Sequence, residues 1–336
     1  MPHLPSPKER VLKKSEVKVL SFGEDLGEAK LPVRTQIRHI QLSNNMKNIL
    51  LLLFMASASA VYSQSKSYDY AYTNKKGICV YSSADKKEYL VVKVGADPCI
   101  SPDGKKLAYT INGKDSQRFI KIMDLTTKAI TTLNTQNDNC YGAVWSPDGK
   151  LIVYNADIDN KWSIEVIGAN NADPKVLSGK INDSYSPVWL ANSKNIVVQD
   201  MAKAFVLDMS GNVITVYDLK DLQGGLPELK DGVGSSSFDQ FVITNDNAKI
   251  VFSSETDEPG ENGPPSAIFI YDIASKKTLR LSPKGYDAGH IIIKGNSALF
   301  TASKHNSSIA SIYSVDLDGR NFKLVFPGCT DISAKN

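Results

Sequence analysis

The chain has 336 residues, of which 42% are hydrophobic and 22% are charged, a composition typical of a globular protein with one large or two small domains. Its net charge of +3 is concentrated at the N-terminus, because residues 1–60 hold nine Lys and Arg against five Asp and Glu, whereas residues 61–336 hold 30 against 31. A near-neutral chain with no run of Lys and Arg between aromatic residues does not neutralise phosphates, so we expect no nucleic-acid partner.

Two N-terminal segments precede the part of the chain that we expect to fold. Residues 1–45 are polar and of mixed charge, with four prolines and no sustained apolar period. Residues 46–63 read M-K-N-I-L-L-L-L-F-M-A-S-A-S-A-V-Y-S, which is one Lys, an apolar run and a small-residue A-S-A at Ala58 to Ala60. This order is typical of a secretory signal peptide, and the run is too short to span a bilayer stably.

A signal peptide begins near the start of a chain, so we expect Met46 to be the initiator and residues 1–45 to be a mis-assigned, disordered upstream extension. The alternative is a genuine N-terminal arm followed by an internal membrane anchor. On the first interpretation, cleavage near Ala60 to Ser63 releases an exported protein, periplasmic or secreted, with no stable membrane span in the mature chain. No Cys follows the apolar run, so we expect no lipid anchor.

A repeated hairpin organises residues 64–336, which we predict to be a single domain. Residues 143–150 read A-V-W-S-P-D-G-K before the apolar L-I-V-Y, and residues 100–109 read I-S-P-D-G-K-K-L-A-Y. Pro at the second position and Asp-Gly after it favour a tight turn between two strands. Degenerate copies of the turn follow at spacings of 39 to 54 residues, beginning at Leu190, Thr244, Lys294 and Ser333.

Each repeat also contains a second hairpin, such as F-I-K-I-M-D-L with A-I-T-T-L, and four strands in about 45 residues match the period of a β-propeller blade. The C-terminal I-S-A-K-N of residues 332–336 matches the I-S-P-D-G of residues 100–104, so the chain ends on an innermost strand. The three missing strands lie at the other end, from Tyr70 onward. We therefore predict an all-β, six-bladed propeller of four-stranded antiparallel blades, with one blade closed by strands from both termini.

The W-S-P-D-G-K turn, the aliphatic-aromatic strand after it and the I-M-D-L hairpin resemble the TolB-type, WD-repeat-like propeller family. The resemblance covers about residues 70–330, strongly in two repeats and weakly in the others. It implies a six-bladed propeller in an exported protein, often one that binds other proteins. The family's named member has a separate N-terminal α/β domain, for which we expect no counterpart here, so its partners in the Tol–Pal envelope system are not carried over.

Loop positions predict which side of the ring carries a binding site. The loops that enter each first strand, and those that join the second strand to the third, lie on the side opposite the S-P-D-G turns. The two longest insertions, residues 222–237 and 254–266, are one loop of each kind and should lie together. Residues four and five positions before each turn should converge on the channel mouth on this side, as in a typical binding site; they are Asp97, Tyr141, Tyr185, Ser186, Asp239, Gln240 and His290.

The long loops add carboxylates to these candidates. They are Glu255, Asp257, Glu258 and Glu261. The alternative interpretation, for mouth and loops alike, is that Asp and Ser side chains cap turn amides and that the loop acids form a solvated surface.

Catalytic and metal signatures are sparse. Residues 61–336 contain two histidines, His290 and His305, too few for the several-His metal site of lyases that resemble this architecture. No G-x-S-x-G motif and no phosphate-binding glycine loop occurs. The D-I-D-N run from Asp157 to Asn160 lacks the Gly and the distal Glu of a calcium loop. We expect no catalytic set, no metal and no cofactor.

Four cysteines lie in the part that we expect to be exported, where disulfides are permitted. They are Cys79, Cys99, Cys140 and Cys329. Four cysteines allow three complete pairings, among which the sequence does not choose. A pair among the last three is conceivable because they fall in or just before innermost strands, whereas Cys79 is predicted to be a buried thiol.

Two functions are compatible with these patterns. The first is a non-enzymatic exported scaffold that binds a protein or an envelope polymer through the face with the loops 222–237 and 254–266. The second is a carbohydrate-binding or carbohydrate-active propeller, a lyase or hydrolase, with Asp97, Asp239 and His290 at the mouth, since paired carboxylates can serve as acid and base. A purely structural role in a larger envelope assembly differs from the first only in the number of partners.

Overall fold

A computed structural model describes residues 66–224, 226, 229, 234–260, 263–305 and 307–335. The predicted upstream extension, 1–45, and the predicted signal peptide, 46–63, lie outside these residues. The described residues form 24 strands in six four-stranded sheets, together with one short helix, α1 (Leu219–Gln223).

Each sheet is one blade, whose strands pair antiparallel in order from the innermost outward. Blade 1 joins the end of the chain to its beginning: β24 (Cys329–Ala334), β1 (Tyr70–Asn74), β2 (Gly77–Ser82) and β3 (Lys87–Val92). Blade 2 holds β4 (Ala96–Ile100), β5 (Lys106–Asn112), β6 (Arg118–Asp124) and β7 (Ile130–Thr132). Blade 3 holds β8 (Cys140–Trp145), β9 (Leu151–Ile158), β10 (Lys161–Gly168) and β11 (Lys175–Val176).

The other three blades repeat this order. Blade 4 holds β12 (Tyr185–Trp189), β13 (Asn195–Gln199), β14 (Lys203–Asp208) and β15 (Val213–Asp218). Blade 5 holds β16 (Phe241–Ile243), β17 (Lys249–Glu255), β18 (Ser266–Asp272) and β19 (Lys277–Arg280). Blade 6 holds β20 (Tyr286–Lys294), β21 (Ser297–Lys304), β22 (Ala310–Asp316) and β23 (Lys323–Phe326). The predicted six-bladed, all-β architecture is confirmed.

Closure of the ring by both termini is also confirmed, with one correction to its alignment. β1 pairs with β24 so that Tyr70 lies opposite Ala334, and Asn74 lies opposite Cys329. The amide of Lys335 donates a hydrogen bond to Asp69 O. In blade 2 the equivalent hydrogen bond runs from the amide of Ser101 to Lys106 O. Lys335 therefore occupies the first turn position, two residues later than the sequence alignment on Ser333 placed it.

The S-P-D-G turns are closed by their own side chains. Ser146 Oγ donates to Asp148 Oδ1 (2.7 Å) and accepts from the amide of Leu151 (2.9 Å), and Gly149 has a φ of 72°. The degenerate turn of blade 5 keeps this pattern with Thr244 in place of Ser and Asn247, at a φ of 56°, in place of Gly. Asn is the side chain that best tolerates this left-handed conformation, which explains why the copy is hard to see in the sequence.

The core consists of layers between neighbouring blades. The layer between blades 3 and 4 includes the fully buried Val153, Ile164 and Ile196. Trp189 lies in the same layer and donates its indole N–H to Val144 O of blade 3 (3.0 Å). The first strand of each blade contributes to these layers and, as the innermost strand of its sheet, lines the channel.

Two faces of the ring follow from the strand order. We call the loop face the side with the loops that enter first strands and those that join second strands to third strands, and the turn face the side with the S-P-D-G turns. The predicted loop 222–237 begins within α1 and the predicted loop 254–266 begins in β17, so the described ends of both loops lie on the loop face. Among the described residues, no helix is long and apolar enough to cross a membrane.

Candidate functional site

A bulge in the first strand of most blades positions the channel-mouth residues. The pairing register with the second strand shifts between Ala96 and Cys99 in blade 2, and equivalent shifts occur in blades 1, 3, 4 and 6. Within each shift one residue has a positive φ of 49° to 65°; these residues are Asp97, Gly142, Ser186, His290 and Asp331. A bulge redirects the side chains of its strand. Holding a non-glycine residue in the left-handed conformation costs of order 1 kcal/mol of folding free energy, so each such bulge lowers the stability of the blade.

The bulge amides are held by side chains from the preceding blade. The amide of Gly142 donates to Thr110 Oγ1 (3.2 Å), and the amide of Ser186 donates to Asn155 Oδ1 (3.1 Å). Thr110 and Asn155 occupy equivalent places on second strands and are buried between blades. These polar groups are therefore part of the scaffold rather than of a ligand site.

Charged side chains occupy one half of the mouth, on the adjacent blades 6, 1 and 2. Burial raises the pKa of Asp97, and Asp331 raises it further, whereas a hydrogen bond with Thr110 and the positive fields of His290 and Arg118 oppose this rise. His290 Nε2 lies 2.9 Å from Ile332 O, and a carbonyl only accepts, so this nitrogen carries a proton. The shared bulge puts Asp97 and His290 at equivalent positions of blades 2 and 6. Asp331 holds the same position in blade 1, and the sequence alignment misses it because it sets the last strand two residues out of register.

The other half of the mouth carries the uncharged polar side chains of Ser186 and Gln240. Ser186 Oγ donates to Ser237 O (2.8 Å), and Gln240 Oε1 accepts from the amide of Ile291 (2.8 Å), so both side chains join neighbouring blades or loops. Tyr185 is buried, which raises the pKa of its hydroxyl.

Asp239 lies beneath the loop before β16, where its carboxylate is enclosed. It is 4% exposed, and it accepts hydrogen bonds from Ser253 Oγ, the amide of Ser236 (2.6 Å) and Ser235 Oγ (3.1 Å). A carboxylate that caps a loop in this way is not available to a ligand. Asp239 therefore does not pair with Asp97 as an acid and a base at the mouth.

The loop carboxylates have different environments. Glu255 is half-buried at the end of β17, opposite Ser266, and Asp257 is exposed. Glu258 forms a nearly buried ion pair with Arg280 and accepts from the amide of Gly285 (3.2 Å), so it fastens its loop to the next strand. Glu261 lies outside the described residues. Of the three that the structure describes, Asp257 is the exposed one.

Exposed apolar side chains lie on the same face of the ring as the mouth, and no motif in the sequence points to them. Val94, Phe238 and Ile309 are 82%, 77% and 69% exposed, the highest values among the large hydrophobic residues of the described chain. All three lie in loops of the loop face, between β3 and β4, before β16, and between β21 and β22. Met201, in the turn between β13 and β14, adds a fourth. Only the topology reveals that these separated loops share one side.

Arg118 and the aromatic rings of Tyr141 and Trp162 lie beside the mouth. The guanidinium carbon of Arg118 lies 3.8 Å from the ring centre of Tyr141 and 5.2 Å from that of Trp162, and the two rings meet edge to face. Arg118 Nε donates to Asn139 Oδ1 (2.7 Å). Burial raises the pKa of Tyr141, and Arg118 opposes the rise. Cation–π contacts of this kind fix the plane of a guanidinium.

A cleft of about 400 Å³ opens next to Arg118 on the loop face, between blades 2 and 3. Its walls are Asn112, Gly113, Ser116, Gln117, Arg118 and Asn139. Elsewhere, the part of the chain that the structure describes contains no group of three or more His, Cys, Asp or Glu side chains arranged to hold a metal ion.

All four cysteines are free thiols. Cys79 and Cys329 lie on β2 and β24, with β1 between them, opposite Tyr72 and Asn74. The backbones of the two cysteines are therefore two strand spacings of about 4.8 Å apart, which is farther than the distance between Cα atoms that a disulfide can bridge.

The chain is a six-bladed β-propeller with a polar channel mouth and exposed apolar side chains on its loop face. No protein-family model matches the chain. Over 147 residues the chain is 31% identical to the "Tol-Pal system protein TolB" of Francisella tularensis subsp. tularensis (strain WY96-3418), a stretch that covers 43% of this chain and 32% of that protein. The resemblance identified from the repeated turn is confirmed, over about a third of the length of these relatives.

Solved structures agree on the fold. TolB from Acinetobacter baumannii superposes with a TM-score of 0.58 at 16% identity, covering 80% of this chain and 66% of that one. The putative TolB from Agrobacterium tumefaciens superposes with a TM-score of 0.56 at 16% identity, covering 80% and 94%. At such identities the superpositions establish a common propeller architecture.

Proposed function

We propose that this protein is an exported, non-enzymatic scaffold that binds another protein through its loop face. The observation that carries the proposal is the group of apolar side chains on that face, Val94, Phe238 and Ile309, which are more than two-thirds exposed. Large apolar side chains that are exposed to solvent are characteristic of protein-binding surfaces. When the complex forms, these side chains become its buried anchors.

Two further features support the proposal. The relatives with sequence similarity are named as Tol-Pal system proteins. The signal peptide predicted at residues 46–63 favours export, and the described residues contain no helix that could span a membrane. An envelope or secreted partner protein is consistent with both features.

A sugar ligand is the second candidate, favoured by the amide-lined cleft beside Arg118 and its aromatic neighbours. Catalysis by Asp97 and Asp239 has less support, since Asp239 is enclosed by three hydrogen bonds. Turnover of a polysaccharide panel that is lost on Asp97→Asn would favour this candidate over the scaffold.

The loop that contains Glu258 is a poor target for testing the scaffold by deletion, because the Glu258–Arg280 ion pair and the bonds from Thr256 to Pro265 O hold the blade together. Point substitutions on the loop face avoid this difficulty. We expect the triple variant Val94→Ser, Phe238→Ser, Ile309→Ser to lose capture of partner proteins from the native envelope while keeping its circular dichroism spectrum and melting temperature.

A matched control is available on the outer strands. Leu90, Ile130 and Leu324 are 44%, 53% and 51% exposed, and they lie on the fourth strands of blades 1, 2 and 6, away from the loop face. The triple serine variant of these residues should keep the partner. Capture that survives the loop-face variant, or that both variants lose equally, would refute the proposal.

A further inference from the structure

The cleft beside Arg118 contains a cation that lacks a counter-ion. Among the described residues, no carboxylate lies within ion-pair distance of the guanidinium, although seven other cationic side chains have one. The Arg118 side chain is half-buried, so part of its hydration is lost and no ion pair with a described carboxylate replaces it. An anionic group that enters the cleft would replace that hydration.

The guanidinium is also preorganised. Asn139 Oδ1 accepts from Nε, and the ring of Tyr141 lies against the guanidinium plane. The Tyr141 hydroxyl also interacts with the guanidinium, and Nη1 and Nη2 form a fork whose orientation is set before any ligand arrives. Such a fork matches the two oxygens of a carboxylate, which arginine binds bidentately through charge-assisted hydrogen bonds.

The surroundings favour a carboxylate over a larger anion. The other cleft walls are two asparagines, a glutamine, a serine and Gly113, which offer amide and hydroxyl groups but no second cation to balance a phosphate. Burial raises the pKa of Asp97 and Arg118 only partly opposes that rise, and Asp97 does not lie in the cleft wall. The cleft therefore holds a single positive charge.

We propose that this cleft is the subsite for an aspartate or glutamate side chain of the partner protein, with Arg118 as its bidentate ligand. The proposal rests on the scaffold function proposed above and adds the chemistry of recognition. A peptide is favoured over an acidic saccharide because Val94, three residues before Asp97 and 82% exposed, adds an apolar anchor on the same face.

The test uses the full chain, ¹⁵N-labelled, and a capped peptide of alternating glycine and glutamate as the probe, with its glutamine counterpart as the neutral probe. The reporters are the Nε–H of Arg118 and the indole N–H of Trp162, the latter assigned from Trp162→Phe. We expect the glutamate peptide to shift both signals saturably, with an affinity that falls as salt rises, and the glutamine peptide to shift neither.

Arg118→Gln should weaken the glutamate peptide at least tenfold. The matched control is Lys114→Met, which removes one positive charge from the same loop but none from the cleft wall. Equal binding of the two peptides would overturn the proposal, as would unchanged affinity in Arg118→Gln. A glucuronate oligosaccharide that binds more tightly than the peptide would also overturn it, in favour of an acidic saccharide.

These results are distinguishable from failure of the scaffold proposal. The triple variant of Val94, Phe238 and Ile309 could lose envelope capture while the unchanged protein shows no response to the glutamate peptide. That pair of results would reject the carboxylate subsite and support the scaffold function.

Discussion

Removal of Glu258 tests whether the loop 256–265 is part of the folded blade. The side chains of Glu258 and Arg280 are 13% and 10% exposed, and the variant Glu258→Ala would leave the arginine buried without its carboxylate. Breaking a buried pair costs roughly 3–5 kcal/mol. Arg280 Nε still donates to Ser282 O (2.9 Å), so we expect a loss of about 2–3 kcal/mol in the free energy of unfolding.

The pH dependence adds a second signature. Burial alone raises the pKa of Glu258, but the hydrogen bonds from Arg280 and Gly285 outweigh it and hold the pKa below the usual value. A lowered pKa in the folded state gives stability that is complete above the unfolded pKa and is lost as pH falls through the folded pKa. Glu258→Ala should therefore lose its destabilising effect progressively as the pH is lowered below about 4.5.

Urea unfolding followed by tryptophan fluorescence measures both effects. The control is Asp318→Ala, which breaks the surface pair with Arg320, whose side chains are 44% and 80% exposed, and should change stability within experimental error. Equal, small effects of the two substitutions at neutral pH would refute the assignment of Glu258 as a structural residue and return it to the candidate binding residues.

Three other predictions follow from the scaffold. Burial raises the pKa of Glu165 on β10 against the hydrogen bond that Asn137 Nδ2 donates to its carboxylate (3.3 Å), so the free energy of unfolding should fall as pH rises from about 4.5, and Glu165→Gln should flatten that slope in urea titrations. Asn155→Ala leaves the amide of Ser186 without its acceptor and should cost about 1–3 kcal/mol by the same assay, whereas no loss would contradict the role of the interblade cap. A thiol titration should find four free cysteines in the denatured, non-reduced protein; two or none would contradict the four free thiols of the structure.

The repeated turn was sufficient to predict the blades because its chemistry is local. Ser146, Asp148 and Gly149 close the turn with their own atoms, so the same residues recur wherever the same turn recurs. The last strand was placed two residues out because I-S-A-K-N preserves the apolar residue and the serine but not the turn that fixes their register. Strand pairing decides that register, and pairing with β1 is a contact across more than 250 residues.

The candidate site was only partly predictable for a related reason. Asp97 and His290 could be placed from their distance to the turn, because the bulge repeats with the blade. The same rule selected Asp239, whose carboxylate instead turns into its own loop and accepts from Ser253 and Ser236. Arg118 is the first residue of a third strand and contacts Tyr141 of the next blade. The residue spacing within one repeat does not predict a contact between two blades.

Site-specific photo-crosslinking in the native cell tests the central claim most directly. A photoreactive phenylalanine analogue replaces Phe238 on the loop face or, as the control, the exposed Asn192 on the turn face. The scaffold proposal predicts a discrete crosslinked protein from position 238 and none from position 192. A crosslink from position 192 alone, or none from either position in cells that contain the folded protein, would contradict it.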